Sequence, residues 1–193
     1  MLLNEGAGTA SHRGADGLRG DLEAALEALY ISADLEICSA PDLKRLAEAA
    51  LARARSAEID AVVVGGGDGS IRTVAGVLAE TGVPLGILPL GTLNHFAKDL
   101  GIPLHLKEAA EVIAKGETRT VDIAEVNGES FINNSSIGIY PYIVIDRERR
   151  RANHKLAKWM AMVPALFRVL KHFPRRQLAL SAEGAAVGIL DAD

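Results

Sequence analysis

A short apolar run that leads into glycines carries the first chemical signal in this sequence. Residues 60–70 read Asp-Ala-Val-Val-Val-Gly-Gly-Gly-Asp-Gly-Ser, and a helix-compatible stretch, Ile71–Glu80, follows at once. The valines favour a buried strand, and the glycines leave backbone N–H groups accessible because no Cβ shields them. A helix N-terminus directly after such a loop adds partial positive charge. The order strand, glycine loop and helix therefore predicts a binding site for an anion such as a phosphate.

A second unusual run lies at residues 86–97, which read Gly-Ile-Leu-Pro-Leu-Gly-Thr-Leu-Asn-His-Phe-Ala. It follows another predicted strand. In open α/β sheets, ligands bind outside the carboxyl ends of the strands. Because both runs follow strands, we expect them to line one nucleotide crevice.

Strands and helices alternate around these two runs. Apolar residues recur at helical spacing at Leu18, Leu22, Leu26 and Leu29, and Ser39 is a candidate cap for the helix that follows it, with Pro41 in its first turn. We predict strands at Leu2–Leu3, Leu35–Cys38, Ile59–Val64 and Pro84–Leu88, and helices at Gly17–Tyr30, Ile71–Glu80, Asn94–Asp99 and Leu106–Lys115. The helix expected after Ser39 has one face marked by Leu43, Leu46, Ala50 and Ala54. This alternation predicts an α/β fold with a mostly parallel sheet and flanking helices.

The alternation of strands and helices ends after Gly116, and a β-rich second unit is expected to begin there. Thr118–Val126 and Ser130–Asn133 flank Asn127-Gly128, a pair that suits a type I′ hairpin turn. A helix from His154 to Phe173 with a kink at Pro164 follows, and then a hairpin of Gln177–Ala182 and Ala185–Leu190. We therefore predict a nucleotide-binding domain at 1–118 and the start of a C-terminal domain at 119–193, which is expected to be cut short.

Composition is that of a globular protein, with 49% apolar and 24% charged residues. Cys38 is the only cysteine, so it forms no internal disulfide and no cysteine metal cluster. The N-terminus lacks the basic start and apolar stretch of a signal peptide, and no run is long enough for a membrane-spanning helix. The expected location is the cytoplasm.

Charge is distributed unevenly along the chain. Residues 1–146 hold 11 basic and 21 acidic residues, whereas residues 147–176, the basic segment, hold 10 basic residues and Glu148. Cations beside an apolar helix face that includes Trp159 fit an interfacial helix on anionic lipid. The preferred alternative is a core-packed helix with a solvated basic face. Nucleic acid is not expected as a partner, because the rest of the chain is acidic and aromatic residues are few.

Taken together, the runs GGGDGS (65–70) and LPLGTLNHFAKDLGIP (88–103) resemble the diacylglycerol kinase catalytic domain family. This family includes bacterial soluble lipid kinases and sphingosine kinases. NAD kinases share the GGDG run, as do phosphofructokinases in variant form. The Leu-Pro-Leu-Gly-Thr-x-Asn run distinguishes the lipid kinases from both. The resemblance implies an NAD kinase/diacylglycerol kinase-like N-terminal domain that binds ATP and Mg²⁺.

The resemblance also implies roles for individual residues. Asp68 would orient a magnesium ion, a water or the loop itself, and Asn94 would bridge the loop and the acceptor alcohol. Arg72, expected in the first turn of its helix, could reach a phosphate, and His95 stands where an aspartate is common. The implied nucleotide-binding set is Ser39, Gly66, Gly67, Asp68, Gly69, Ser70, Ile71, Arg72, Thr73 and Thr92.

The function implied by the resemblance is transfer of the γ-phosphoryl group of ATP to a lipid hydroxyl, as in diacylglycerol or a sphingoid base. The family's later Asp-Asp-Gly magnesium site and its acidic general base have no counterpart in this sequence, so this chain is expected to hold mainly the ATP-binding part. Two alternatives remain: an NAD kinase-like enzyme and a non-catalytic nucleotide-binding fragment. The lipid substrate places the protein at a membrane surface, with the basic segment as the candidate contact at the inner face. The oligomeric state is open between a monomer and a homodimer.

Overall fold

The computed structural model describes residues 1–8, 15–134, 176–182 and 185–192. The chain divides into two compact units, Met1–Asn134 and Ser135–Asp193. The helix predicted from His154 to Phe173, and the basic segment except for Arg176, lie outside the described residues.

Strands and helices alternate through the first unit, as the sequence predicts. In chain order they are β1 (Leu2–Asn4), α1 (Ala15–Ala28), β2 (Glu36–Cys38), α2 (Leu43–Arg55), β3 (Val62–Gly66), α3 (Asp68–Leu78), β4 (Leu85–Pro89), α4 (His95–Asp99) and α5 (Leu106–Lys115). The four strands form one parallel sheet in the order β2-β1-β3-β4. The predicted α/β class with a parallel sheet is confirmed.

Both faces of the sheet are covered, because successive strand residues point to opposite sides. In β3, Val62 and Val64 pack with α2 and α3, whereas Val63 packs on the other face with α1 and α5. Leu2 and Leu3 of β1 divide between the two faces in the same way. All five residues of β3 are buried, which is expected of a strand inside a covered parallel sheet.

The predicted helix boundaries differ from the structure at two places that matter for the site. α3 begins at Asp68 rather than at Ile71, so the first helical turn includes the last part of the glycine run. α2 begins at Leu43 with Asp42 as its N-cap, so Ser39 does not cap this helix and Pro41 precedes it. By contrast, α5 has the predicted bounds, and its C-cap Gly116 is left-handed.

The hairpin predicted at the start of the second domain belongs to the first unit. β5 (Ala124–Val126) and β6 (Glu129–Phe131) pair antiparallel, and Asn127 and Gly128 both have positive φ, as a type I′ turn requires. This hairpin packs against α3, where a Cβ at Gly76 would come within 3.3 Å of Ser130 Oγ. The first compact unit therefore extends past residue 118, to Asn134.

In the second unit, the structure describes one antiparallel hairpin. Its strands are β7 (Arg176–Ala182) and β8 (Ala185–Ala192), which confirms the predicted hairpin with slightly longer strands. Among the residues described in the two units, no helix is both long and apolar enough to cross a bilayer.

Candidate nucleotide-binding site

A cleft of about 290 Å³ opens at the carboxyl ends of β1 and β3. In the order β2-β1-β3-β4, the chain adds β2 on one side of β1 and adds β3 and β4 on the other side. The place between β1 and β3 is therefore a topological switch point, where α/β sheets bind ligands. The described residues that line the cleft are Asn4, Gly6, Ala7, Gly8, Ala40, Leu43, Gly67, Gly69, Ser70, Thr73 and Gly91. The two glycine-containing runs thus contribute to one cleft, as predicted.

Gly67 and Gly91 bring the backbones of the two runs into direct contact. A Cβ added at Gly91 would lie 2.4 Å from Gly67 Cα, and one added at Gly67 would lie 3.3 Å from Gly91 Cα. No side chain fits at Gly91 without separating the runs, because the obstructing atoms belong to the backbone. Packing between the runs therefore requires a glycine at Gly91 and leaves little room for a side chain at Gly67.

The Asp68 carboxylate ties α3 to the short helix α4. Its Oδ2 accepts a hydrogen bond from the His95 N–H at 3.1 Å, and its Oδ1 accepts one from the Phe96 N–H at 2.9 Å. The N-cap of α4, Asn94, makes no side-chain cap bond, so a residue distant in sequence satisfies these amides. These bonds hold α4 against the start of α3. The roles implied for Asp68 toward a magnesium ion, a water or its own loop stay predictions.

The Asn94 side chain makes three hydrogen bonds to the backbone of the second run. Its Oδ1 accepts the Gly91 N–H at 2.9 Å, and its Nδ2 donates to the carbonyls of Gly91 and Pro89 at 2.8 and 3.2 Å. The residue is 6% exposed and left-handed at φ 51°. Both amide protons are used inside the loop, so a bond with an acceptor alcohol would have to use the second lone pair of Oδ1, and this role stays a prediction.

The N-terminus of α3 faces the cleft. The first intrahelical bond runs from the Ile71 N–H to the Gly67 carbonyl at 3.1 Å, so the amides of Asp68, Gly69 and Ser70 have no intrahelical acceptor. Gly69 has open space where a Cβ would stand. These amides and the helix dipole form a cradle of the kind that binds phosphate.

Two hydroxyl groups extend this cradle. Thr73 lines the cleft one turn along α3, and its Oγ1 donates to the Gly69 carbonyl at 3.0 Å. Ser70 is 7% exposed, and its Oγ accepts a 2.8 Å hydrogen bond from Asn4 Nδ2.

The remaining predicted site residues lie outside the cleft lining in the described part of the chain. Ile71 is fully buried and its amide is bonded within the helix, so neither its side chain nor its N–H faces a ligand. Arg72 lies in the second turn of α3 rather than the first, and its Nη1 is 4.0 Å from Glu129 Oε2 on β6. The phosphate contact was expected from a position in the first turn of the helix, and Arg72 does not have that position.

Gly66, Ser39 and Thr92 lie next to the cleft without lining it. The Cβ position of Gly66 is filled by Ser70, so this glycine makes room for the Ser70 side chain. The Ser39 hydroxyl donates to Asp42 Oδ2 at 2.6 Å, a bond that lowers the pKa of the exposed Asp42 carboxyl. Thr92 is exposed, and a Cβ at Gly8 would come within 2.7 Å of its Oγ1. Their contacts with a nucleotide stay predictions.

The predicted binding set does not include the cleft residues that come from β1 and the turn after it, from the start of α2 and from the second run. They are Asn4, Gly6, Ala7, Gly8, Ala40, Leu43 and Gly91. The signal for the first four was present, because Asn4 directly follows the predicted strand Leu2–Leu3 and the glycines Gly6 and Gly8 come next. The strand order that places β1 next to β3 makes them part of the same site.

No group of three or more metal-ligating side chains occurs within the part of the chain that the structure describes. Mg²⁺ in nucleotide sites needs fewer protein ligands, because one or two carboxylates and the substrate phosphates share it with water. Asp68 fits this role, since a carboxylate that accepts two N–H bonds retains lone pairs for a metal-bound water.

The fold is a doubly wound parallel sheet with an amide-lined cleft at its switch point, the place where α/β domains of this kind bind ligands. Residues 1–126 match the family model of the diacylglycerol kinase catalytic domain. The chain therefore belongs to the diacylglycerol kinase catalytic domain family, as its two glycine-containing runs indicate.

Similar proteins carry lipid kinase names. "Probable lipid kinase YegS-like" proteins from Yersinia pestis (strain Pestoides F) and Yersinia pseudotuberculosis serotype O:1b (strain IP 31758) are each 42% identical over 101 residues, which are 50% of this chain and 33% of the relative. A crystal structure of a diacylglycerol kinase from Bacillus anthracis str. Sterne is 31% identical with a TM-score of 0.52, over 68% of this chain and 44% of that chain. The matches thus span less than half the length of these relatives.

Proposed function

We propose that this chain is the ATP-binding part of a lipid kinase that transfers the γ-phosphoryl group of ATP to the hydroxyl of a lipid such as diacylglycerol or a sphingoid base. Membership in the diacylglycerol kinase catalytic family supports the reaction class. The names of the similar proteins support a lipid acceptor. The cleft at the switch point supports a nucleotide as the phosphoryl donor.

The observation that carries the proposal is the phosphate cradle at the start of α3. Phosphoryl transfer depends mainly on positioning and on neutralising the charge of the transferred group. The amides of Asp68, Gly69 and Ser70 supply oriented donors, and the Ser70 and Thr73 hydroxyls stand beside them. Asp68 is the residue that would hold Mg²⁺ through a water, and the bound ion would offset the negative charge of the phosphates. Asp68 holds the second run against this cradle.

A pair of glycine substitutions tests whether ATP occupies the cradle. In Gly69→Ala the added methyl meets no protein atom within 4 Å, so the fold is retained while the methyl protrudes into the cleft. We expect the Kd for MgATP to rise about tenfold or more, since close approach of phosphate to the amides is lost. Isothermal titration calorimetry measures the Kd.

Gly20→Ala is the matched control, because Gly20 also has open space at its Cβ but lies in α1. It should leave the affinity for MgATP unchanged. Equal affinities for the wild type, Gly69→Ala and Gly20→Ala would contradict ATP binding at the cradle.

The acceptor is identified by a thin-layer assay with γ-labelled ATP against diacylglycerol, sphingosine and NAD. Labelled lipid is the expected product. Label in NAD alone would instead support an NAD kinase-like enzyme. ATP binding with no labelled acceptor would support a non-catalytic nucleotide-binding protein.

We also propose that the basic segment at residues 147–176 brings the protein to anionic membranes. The local excess of Lys and Arg beside apolar residues supports this, because such segments bind anionic lipid surfaces. Co-sedimentation with vesicles that contain phosphatidylserine should fall after charge reversal at Arg149–Arg151. Unchanged co-sedimentation would refute this membrane contact.

A further inference from the structure

The orientation of the Asn4 amide is fixed by its backbone neighbour. The Gly6 N–H meets one end of this amide at 2.9 Å, and an N–H group can only donate. The atom it meets is therefore Oδ1, which leaves the Nδ2 end toward Ser70 Oγ at 2.8 Å. The assignment of oxygen and nitrogen, which is often ambiguous for asparagine, follows here from the donor on Gly6.

This orientation determines the direction of the Ser70 hydroxyl proton. Nδ2 has two protons and no lone pair to accept with, so Ser70 Oγ must be the acceptor in this bond. The hydroxyl proton of Ser70 then points away from Asn4 and needs another acceptor. A serine in a helix often donates to the carbonyl four residues earlier, which here is Gly66.

Within the described residues, Ser70 Oγ donates to no protein acceptor. The Gly66 carbonyl instead accepts the Leu90 N–H at 3.0 Å, and Thr73 Oγ1 is the α3 hydroxyl that bonds back to a helix carbonyl. Ser70 is 7% exposed and lines the cleft. A hydroxyl proton that is this well shielded and has no protein acceptor indicates a ligand oxygen as its partner.

We propose that Asn4 is a positioning residue that directs the Ser70 hydroxyl proton toward an anionic oxygen in the cleft, a phosphate oxygen of the nucleotide. This inference rests on the proposed function for the identity of the ligand. Asn4 acts through Ser70 and does not itself hold the phosphate. Its second hydrogen bond, with the Gly6 N–H, shapes the turn after β1, which also lines the cleft.

Asn4→Asp reverses the bond while keeping the size of the side chain. One carboxylate oxygen still accepts the Gly6 N–H, but the other now accepts the Ser70 hydroxyl proton and turns it away from the ligand. The added negative charge also weakens phosphate binding by itself. A double-mutant cycle with Ser70→Ala separates the two effects, because the charge effect persists without the hydroxyl.

The cycle uses the full chain, with MgATP and inorganic pyrophosphate as probes in calorimetry. We expect Asn4→Asp to raise the Kd about tenfold more in the Ser70 chain than in the Ser70→Ala chain, which is the fold-change for one hydrogen bond to a charged oxygen. The affinity for adenosine, which has no phosphate, should be the same in all four proteins. A merely structural role of Asn4 would alter urea unfolding without producing coupling specific to the phosphate ligands.

The outcomes distinguish this inference from the proposed function. Equal effects of Asn4→Asp in the two backgrounds would overturn the role of Asn4, even if the wild type binds ATP and phosphorylates lipid. Coupling with ATP and pyrophosphate would leave the role of Asn4 standing even if label passes to no lipid, because the cycle measures binding and the thin-layer assay measures transfer. No binding of either probe by the wild type would overturn the inference.

Discussion

Removal of the Asp68 carboxylate should loosen the second run and destabilise the fold. In Asp68→Ala, the amides of His95 and Phe96 lose their acceptors at 3.1 and 2.9 Å. The His95 bond is exposed, so water replaces much of it, whereas the Phe96 bond is part-buried. Hydrogen bonds to charged groups contribute about 1.5–3 kcal/mol, and loss of a helix N-cap costs about 0.5–2 kcal/mol. With one exposed and one part-buried bond, we expect a loss of about 2 kcal/mol.

Asp68→Asn should cost about half as much, because the amide keeps one oxygen as an acceptor but loses the charge. Asp99→Ala is the matched control, since Asp99 is an exposed aspartate at the opposite end of α4. An exposed residue of this kind should change stability by less than about 0.5 kcal/mol.

Urea unfolding followed by circular dichroism measures these differences. With a slope of about 2 kcal/mol per molar urea, the midpoint of Asp68→Ala should fall by about 1 M. Hydrogen exchange adds a local measurement, in which the Phe96 amide should exchange faster in Asp68→Ala. Equal midpoints for Asp68→Ala and Asp99→Ala, together with unchanged exchange at Phe96, would refute this reasoning.

Further predictions concern packing, acid stability and thiol reactivity. Gly91→Ala should lower the free energy of unfolding by about 2 kcal/mol or more in urea, because its methyl overlaps the Gly67 backbone, and a Gly91→Ala chain as stable as the wild type would contradict this contact. The hydrogen bond from Arg53, reinforced by its charge, lowers the pKa of Asp34. A carboxyl group whose pKa is lowered by folding stabilises the native state at pH values above its unfolded pKa, and this stabilisation is lost as the pH falls through its folded pKa. Arg53→Gln should therefore be less stable than the wild type near pH 6 and approach the stability of the wild type below pH 3.8. A pH-independent difference between the two proteins would argue against the pair. Burial raises the pKa of the Cys38 thiol, so it should react with DTNB at pH 8 far more slowly in the native chain than in urea, and equal rates would contradict its burial.

The fold could be predicted because several patterns agree. The continuous run of three valines in β3 is typical of a buried strand, and the helical spacing of the leucines in α1 is typical of an amphipathic helix. Both elements form. Asn127-Gly128 specifies its turn by local chemistry alone, and the turn forms. The packing of this hairpin on α3 could not be predicted in this way, because the contact depends on the tertiary fold.

The candidate site was predicted in position but not in the roles of its residues. The runs mark where the strands end, and the cleft lies there. Which residues face the cleft depends on where α3 begins, and the helix start at Asp68 turns Ile71 into the core and moves Arg72 to the second turn. Because glycine has a low helix propensity, the presence of Gly69 favoured a helix start at Ile71, later than the observed start at Asp68. Tertiary contacts of Asp68 and Ser70 compensate for that low propensity.

The three strands that end at the cleft are joined by contacts that do not involve a ligand. Gly67 packs on Gly91, Asp68 accepts the amides of α4, and Asn4 donates to Ser70. Each contact connects a segment after one strand with a segment after another. A binding site that is already held in place loses less conformational entropy when the ligand binds. The glycines of the runs therefore serve two purposes: Gly91 allows the runs to approach each other, whereas Gly69 leaves the phosphate cradle open.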